Sequence, residues 1–339
     1  MRTLALSLLA LAAARSLAAQ QWTPMASGTS SEFRGLHAVD AQVVWAAGKG
    51  GVVARTLDGG RNWTAEPIYG AERLFLVAIH ALDARRAWAL GTSFDSTSLA
   101  RVYFTSDGGT SWQLQYQNAS KGTFFDGMAF WDERHGIAFG DPQDGRLVVI
   151  TTEDGGGAWT QVFPSQLPAV LPGEAAFAAS GTAIAVSGNS EVWIATGGGA
   201  RARVFHSTNR GRTWEVFDTP ANGSAAKGLF GIAMDGRRGV AVGGDYRQRD
   251  ASAENLLLSD DGGRSWQLAA SPGLLGVQYG VAHGGGRRFV AAGPGGSALS
   301  TDGGTTWQRL EGPGYNTVAC AKGVCWAAGV DGRIARLSP

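Results

Sequence analysis

The stretch Ser300-Thr-Asp-Gly-Gly-Thr-Thr-Trp307 decides the fold, because the chain writes the same phrase five more times upstream. The other copies are TLDGGRNW (56–63), TSDGGTSW (105–112), TEDGGGAW (152–159), STNRGRTW (207–214) and SDDGGRSW (259–266). All fit one template of Ser or Thr, any residue, Asp or Asn, any residue, Gly, two more residues and Trp. The acidic or amide positions, Asp58, Asp107, Asp154, Asn209, Asp261 and Asp302, stand between 41 (261 to 302) and 55 (154 to 209) residues apart. Recurrence at that distance marks an array of similar units, each long enough for one four-stranded blade of a β-propeller.

The phrase has the chemistry of a tight hairpin turn. Asp or Asn at a corner binds backbone amides a few residues on, and Gly adopts a positive φ without steric penalty. The template glycine is kept in every copy, whereas the residue before it becomes Arg210 in the fourth, so only the second glycine reads as obligatory. Trp63, Trp112, Trp159, Trp214, Trp266 and Trp307 then begin the next strand and are expected to pack between blades. A row of carboxylates also invites a calcium or acid/base reading, but a carboxylate spent on its own turn has few lone pairs left for chemistry.

A second repeated phrase sets the blade count. VWAAG (44–48), AWALG (87–91), GIAFG (136–140), VWIATG (192–197), GVAVG (239–243), FVAAG (289–293) and CWAAG (325–329) are taken as the inner strand of each of seven blades. Seven such strands meet only six turns. The last unit stops before its tryptophan strand, but Trp22 in QWTPM stands where a post-turn tryptophan belongs. The expected fold is therefore all-β, a seven-bladed β-propeller of four-stranded blades, its ring closed by the N-terminal strand completing the C-terminal blade, which removes a free sheet edge. Residues 20–339 form one domain.

Composition agrees with that architecture and narrows the function. Among 339 residues there are 51 glycines and 12 tryptophans, only 17% of residues are charged, and the net charge is +1. No long basic run is present, so neither nucleic acid nor an anionic membrane surface is an expected partner. Residues 1–19 carry Arg2, an apolar run and small residues at 16, 18 and 19, the pattern of a cleaved export signal and too short for a membrane span. The protein is expected to be secreted or periplasmic, a monomer and not inserted in a membrane. Cys320 and Cys325 face each other if Lys322-Gly323 is a two-residue hairpin turn, and export makes a disulfide between them the favoured reading over two buried thiols. The five histidines fall in different blades, and neither a metal nor a cofactor is expected.

The repeated turn is identified as the Asp-box, or bacterial neuraminidase repeat. The chain from WTPMASGTSSEFRGLHAVD (22–40) to GRIARL (332–337) resembles the photosystem II stability and assembly factor family. That resemblance implies a non-enzymatic role, the binding of early subunits of a membrane complex on its lumenal or periplasmic side. The turn specifies a hairpin and not a function, because sialidases, sortilin-type receptors and xyloglucan hydrolases carry it too.

Function is sought where the repeats differ. The second-to-third-strand connection and the connection to the next blade lie opposite the repeated turns. Blades two, three and five have the longest spacings there, TSFDSTSLAR, DPQDGR and DYRQRDASAEN, and a long connection, PSQLPAVLPGEAAF, follows Trp159. These bring candidate partner contacts to one face: Asp141, Asp144, Arg146, Glu174, Asp245, Tyr246, Arg247 and Arg249, with Asp95 and Asp250 beside them. Each is also explicable as a solvated loop residue. Phe124 and Phe125 add apolar area. The alternative function is glycan binding or glycoside hydrolysis. A sialidase needs an Arg-Ile-Pro phrase where this chain has Phe-Arg34-Gly-Leu, whereas Asp141 and Asp245 leave a two-carboxylate hydrolase open.

Overall fold

A computed structural model of the chain describes residues 20–95, 99–118, 123–270 and 272–337. The export signal expected over 1–19 lies outside the described residues. Seven four-stranded antiparallel sheets form a seven-bladed β-propeller. Blade one runs outward from the axis through Phe33–Ala38, Val44–Gly48, Val52–Thr56 and Thr64–Pro67. The first strands of successive blades pack on one another around the axis.

The count of seven glycine-ended phrases gives the blade number correctly, but their placement needs correction. Val44–Gly48 and its counterparts are the second strands, and the innermost strand of each blade is the segment before. Both are buried on two faces, since every sheet is covered by a neighbour on each side. Apolar burial alone therefore does not distinguish first strand from second.

Trp22–Met25 closes the ring by pairing antiparallel with Ile334–Leu337, Trp22 opposite Leu337. The Trp22 indole donates to Ser297 Oγ of blade six at 2.6 Å and its ring lies 5.3 Å from that of Tyr315. The core is divided among the seven blade interfaces. Each interface cluster receives one tryptophan from the outer edge of a blade: Trp63, Trp112, Trp159, Trp214, Trp266 and Trp307, each immediately before a fourth strand, and Trp22 in the seventh. Second-strand tryptophans staple blades through hydrogen bonds, Trp45 Nε1 to Asp83 O, Trp88 Nε1 to Gly155 O and Trp193 Nε1 to Gly262 O at 2.9–3.1 Å.

The repeated turns use their polar groups internally. In the first, Thr56 Oγ1 donates to Asp58 Oδ1 and accepts from Gly60 N, both at 2.9 Å, and Asp58 Oδ1 accepts from Asn62 N at 2.9 Å. The arrangement recurs in the other five, through to Ser300, Asp302, Gly304 and Thr306. The amide and side chain of Asn62 hold Asp58 down to about 2, and the Ser111 hydroxyl and amide do the same for Asp107. The first glycine position is left-handed as well, for Arg210 takes φ 60° in the fourth copy. A non-glycine residue takes that conformation only at a steric cost, which glycine avoids in the other copies.

Cys320 and Cys325 stand opposite each other in register and are joined by a disulfide across a turn at Lys322 (φ 48°) and Gly323 (φ 81°). Two successive positive φ angles are the signature of a type I′ hairpin. Among the described residues no helix is long and apolar enough to cross a membrane.

Candidate functional site

The repeated turns join third to fourth strands and so occupy one face of the ring. Second-to-third-strand connections and blade-to-blade connections emerge on the other, where a cavity of about 430 Å3 opens at the axis. Blades one, two, three, five and six and the connection into blade four line it with Arg34, Phe94, Phe124, Asp126, Asp141, Ala176, Phe177, Ala178, Ala179, Phe230, Tyr246, Arg249 and Tyr279.

Backbone irregularity aims three of these side chains. The first strands of blades one, three and five break register between Phe33 and Gly35, Phe125 and Gly127, and Leu229 and Gly231. The skipped residues are Arg34, Asp126 and Phe230, and all three line the cavity. A bulge leaves its extra residue outside the ladder and re-aims it. The glycine after each bulge permits close inter-blade approach: a Cβ on Gly35 would stand 3.0 Å from the Ala78 carbonyl carbon, and one on Gly231 3.1 Å from Gly280 Cα. Tyr279 likewise precedes a glycine, Gly280.

Aromatic rings form much of the wall. Phe94 meets Phe124 edge-on at 4.9 Å, Phe177 meets Phe230 at 4.6 Å, and Phe230 lies 5.9 Å from Tyr279. Within this lining Asp126 is 1% exposed and its Oδ2 has no hydrogen-bond partner. Burial, and then the charge of Asp141, push its carboxyl well above the usual range. Burial raises Asp141 also, against the Ala176 amide that donates to its Oδ1 at 3.1 Å.

The two arginines are placed differently. Arg34 is engaged by its own wall: Nε and a terminal nitrogen donate to Glu32 Oε1 at 3.3 Å, and the other terminal nitrogen donates to Ala178 O at 2.9 Å. Its guanidinium also lies 4.5 Å from the Phe75 ring centre and 5.5 Å from that of Phe94. Arg249 is exposed, with Nε 3.4 Å from Tyr246 O.

Of the residues expected to contact a partner, Asp141, Tyr246 and Arg249 meet at the cavity. Asp245 is not among its lining residues, and its carboxylate accepts the Arg247 amide at 2.8 Å. Arg247 is exposed and lies 5.8 Å from the Tyr246 ring centre. Asp144, at φ 50°, and Arg146, which donates to Gly145 O, form a separate hairpin. Glu174 requires correction. Its side chain is fully buried and ion-paired with Arg203, while it accepts from Thr196 Oγ1 at 2.6 Å and Leu171 N at 2.7 Å. Those bonds pin the connection into blade four, leaving Glu174 no face for a partner. Phe125 is likewise buried in the blade core.

Sequence reasoning passed over Asp126 and weighed Arg34 only against the sialidase phrase. The legible signal was a charged residue directly before glycine inside an otherwise apolar segment, FRGL (33–36) and FDGM (125–128). Among the described residues no three His, Cys, Asp or Glu side chains gather as a metal site would require.

No protein-family model matches the chain, and no curated protein sequence does. Solved structures match it along nearly its whole length. YCF48 bound to D1 peptide superposes with a TM-score of 0.70 at 16% identity, covering 95% of this chain and 98% of that one. YCF48 from Cyanidioschyzon merolae gives 0.67 at 15%, covering 94% and 99%. The WD40 propeller domain of Doa1 gives 0.65 at 14%, covering 94% and 97%. At such identities the likeness establishes the propeller fold.

Proposed function

We propose that the chain is a non-enzymatic, exported Asp-box propeller, similar to photosystem II assembly factors, that docks a segment of a protein partner across the face bearing its variable connections. The partner class is a subunit of a membrane complex. The observation that carries this reading is the axial cavity, to which five blades and the connection into the fourth contribute and whose aromatic wall offers apolar contact around a few charged groups. Exposed apolar side chains support it. Tyr69, Phe94, Phe163, Leu275 and Val330 all lie in connections of that face, whereas among the described residues Leu57 is the large apolar side chain exposed in a repeated turn. A protein of the same fold, YCF48, has been solved with D1 peptide bound, which supports a peptide as the kind of ligand. The Cys320–Cys325 disulfide suits an oxidising compartment.

Affinity capture of the tagged protein from its host's envelope fraction tests this, beside a variant carrying Asp141→Asn, Tyr246→Ala and Arg249→Gln. A membrane-complex subunit recovered with the native protein and lost with the variant is the expected result. Equal recovery by both, or recovery by neither, removes the proposal.

A glycoside-directed reading survives on one observation, the paired carboxylates of Asp126 and Asp141 in an aromatic cavity. Asp126 takes the place that the sequence reading gave to Asp245. Hydrolysis of an aryl glycoside abolished by Asp141→Asn would favour it.

A further inference from the structure

We infer that the axial cavity receives a basic side chain, a lysine of the docked segment, with its ammonium between Asp126 and Asp141 and its alkyl stem along the aromatic wall. The inference deepens the docking reading and rests on it for the source of the lysine. Asp126 sits on a bulge at the cavity wall, almost wholly buried, with Oδ2 unpartnered. A buried carboxylate oxygen without a donor is normally found at a functional site or beside a missing partner. Asp141 shares the cavity and spends one oxygen on the Ala176 amide.

The remaining charges sharpen the choice of ligand. Arg34, the half-buried cation of the wall, is satisfied by Glu32, by Ala178 O and by the rings of Phe75 and Phe94, so it leaves the carboxylates uncompensated. Arg249 is exposed, its Nε donating to Tyr246 O at 3.4 Å. The ionisable hydroxyls of Tyr246 and Tyr279 complete the titratable groups facing the pair. A lysine brings three donors on a compact head and an apolar stem. Phe124, Phe177 and Tyr246 supply faces and edges for that stem, and a cation beside aromatic rings gains further attraction once desolvated. An acidic side chain in the same place would meet two carboxylates.

The probe is Nα-acetyl-lysine methylamide, compared with the norleucine and glutamate analogues, and binding is followed by backbone amide NMR of the full chain. The lysine probe is expected to shift the Ala176 and Tyr246 amides and to bind at least about tenfold more tightly than the norleucine analogue. Asp126→Asn and Asp141→Asn should each remove that preference, while Arg61→Gln, exposed on the face of repeated turns, keeps it. Thermal unfolding confirms that each variant is folded, and Asp141→Asn serves alone should Asp126→Asn misfold. Equal binding of norleucine, tighter binding of glutamate, or no shift up to the solubility limit of the lysine probe overturns the inference. Partner capture without the lysine preference sinks this inference alone. A lysine preference without any captured partner sinks the docking reading instead.

Discussion

Replacing Trp22 by alanine removes the residue that locks the first strand onto the last blade. Trp22 is 7% exposed, so about nine-tenths of the roughly 250 Å2 a tryptophan can bury is out of water. At about 25 cal/mol per Å2 that burial is worth roughly 5–6 kcal/mol. Residual compactness of the unfolded chain trims it by roughly 10–40%, to about 3–5 kcal/mol, within the range typical of buried Trp→Ala changes. The buried Ser297 hydroxyl also loses the indole donor that reaches it at 2.6 Å, adding about 1 kcal/mol. Urea unfolding followed by tryptophan fluorescence should show a loss of about 4–6 kcal/mol. Trp63, which is only partly buried and whose Nε1 has no partner, should lose less on the same change. A Trp22→Ala loss below about 1 kcal/mol would mean that the N-terminal strand does not hold the ring closed.

Asp126→Asn should stabilise the protein, and more so as pH rises. Burial raises the folded carboxyl well above its ordinary value of 3.8, so the native contribution is fully present below that value and is lost as pH climbs through the folded value. Asparagine does not titrate, and thermal unfolding should find the gap smallest near pH 4 and about 1–3 kcal/mol at neutral pH; a gap that shrinks with pH contradicts the burial. Gly140→Ala should cost about 1–3 kcal/mol or more, because its Cβ would stand 2.0 Å from Phe124 O, which accepts the Asp141 amide. By contrast Gly295→Ala, with open space around it, should stay within about 0.5 kcal/mol in denaturant unfolding. Equal effects at the two sites would contradict the packing described around Asp141.

The ring was legible because turns and tryptophans are local. Asp58 to Asn62 and Asp302 to Thr306 close their hydrogen bonds within five residues, so the sequence carries them intact. The seventh tryptophan was legible by subtraction, six turns against seven glycine-ended strands. The order of strands within a blade was not, since first and second strands are both covered by neighbouring blades and share one apolar composition. The cavity was half legible. Asp141, Tyr246 and Arg249 follow from loop length, whereas Asp126 and Arg34 depend on bulges, which insert one residue without changing composition. Glu174 misled because a charge in a long connection reads as solvated. Its partner Arg203 stands 29 residues away in a strand, beyond the reach of local pattern.

The central claim, that a protein partner docks on the face of variable connections, is tested most directly by site-specific photocrosslinking in the host. A benzophenone side chain is placed at Tyr69 or Arg247 on that face, and at Arg61 or Thr305 on the face of repeated turns, all four being exposed. The account predicts a crosslinked membrane-complex subunit from Tyr69 and Arg247 and none from Arg61 and Thr305. Crosslinks confined to the turn face, or no protein crosslink from either, would contradict it.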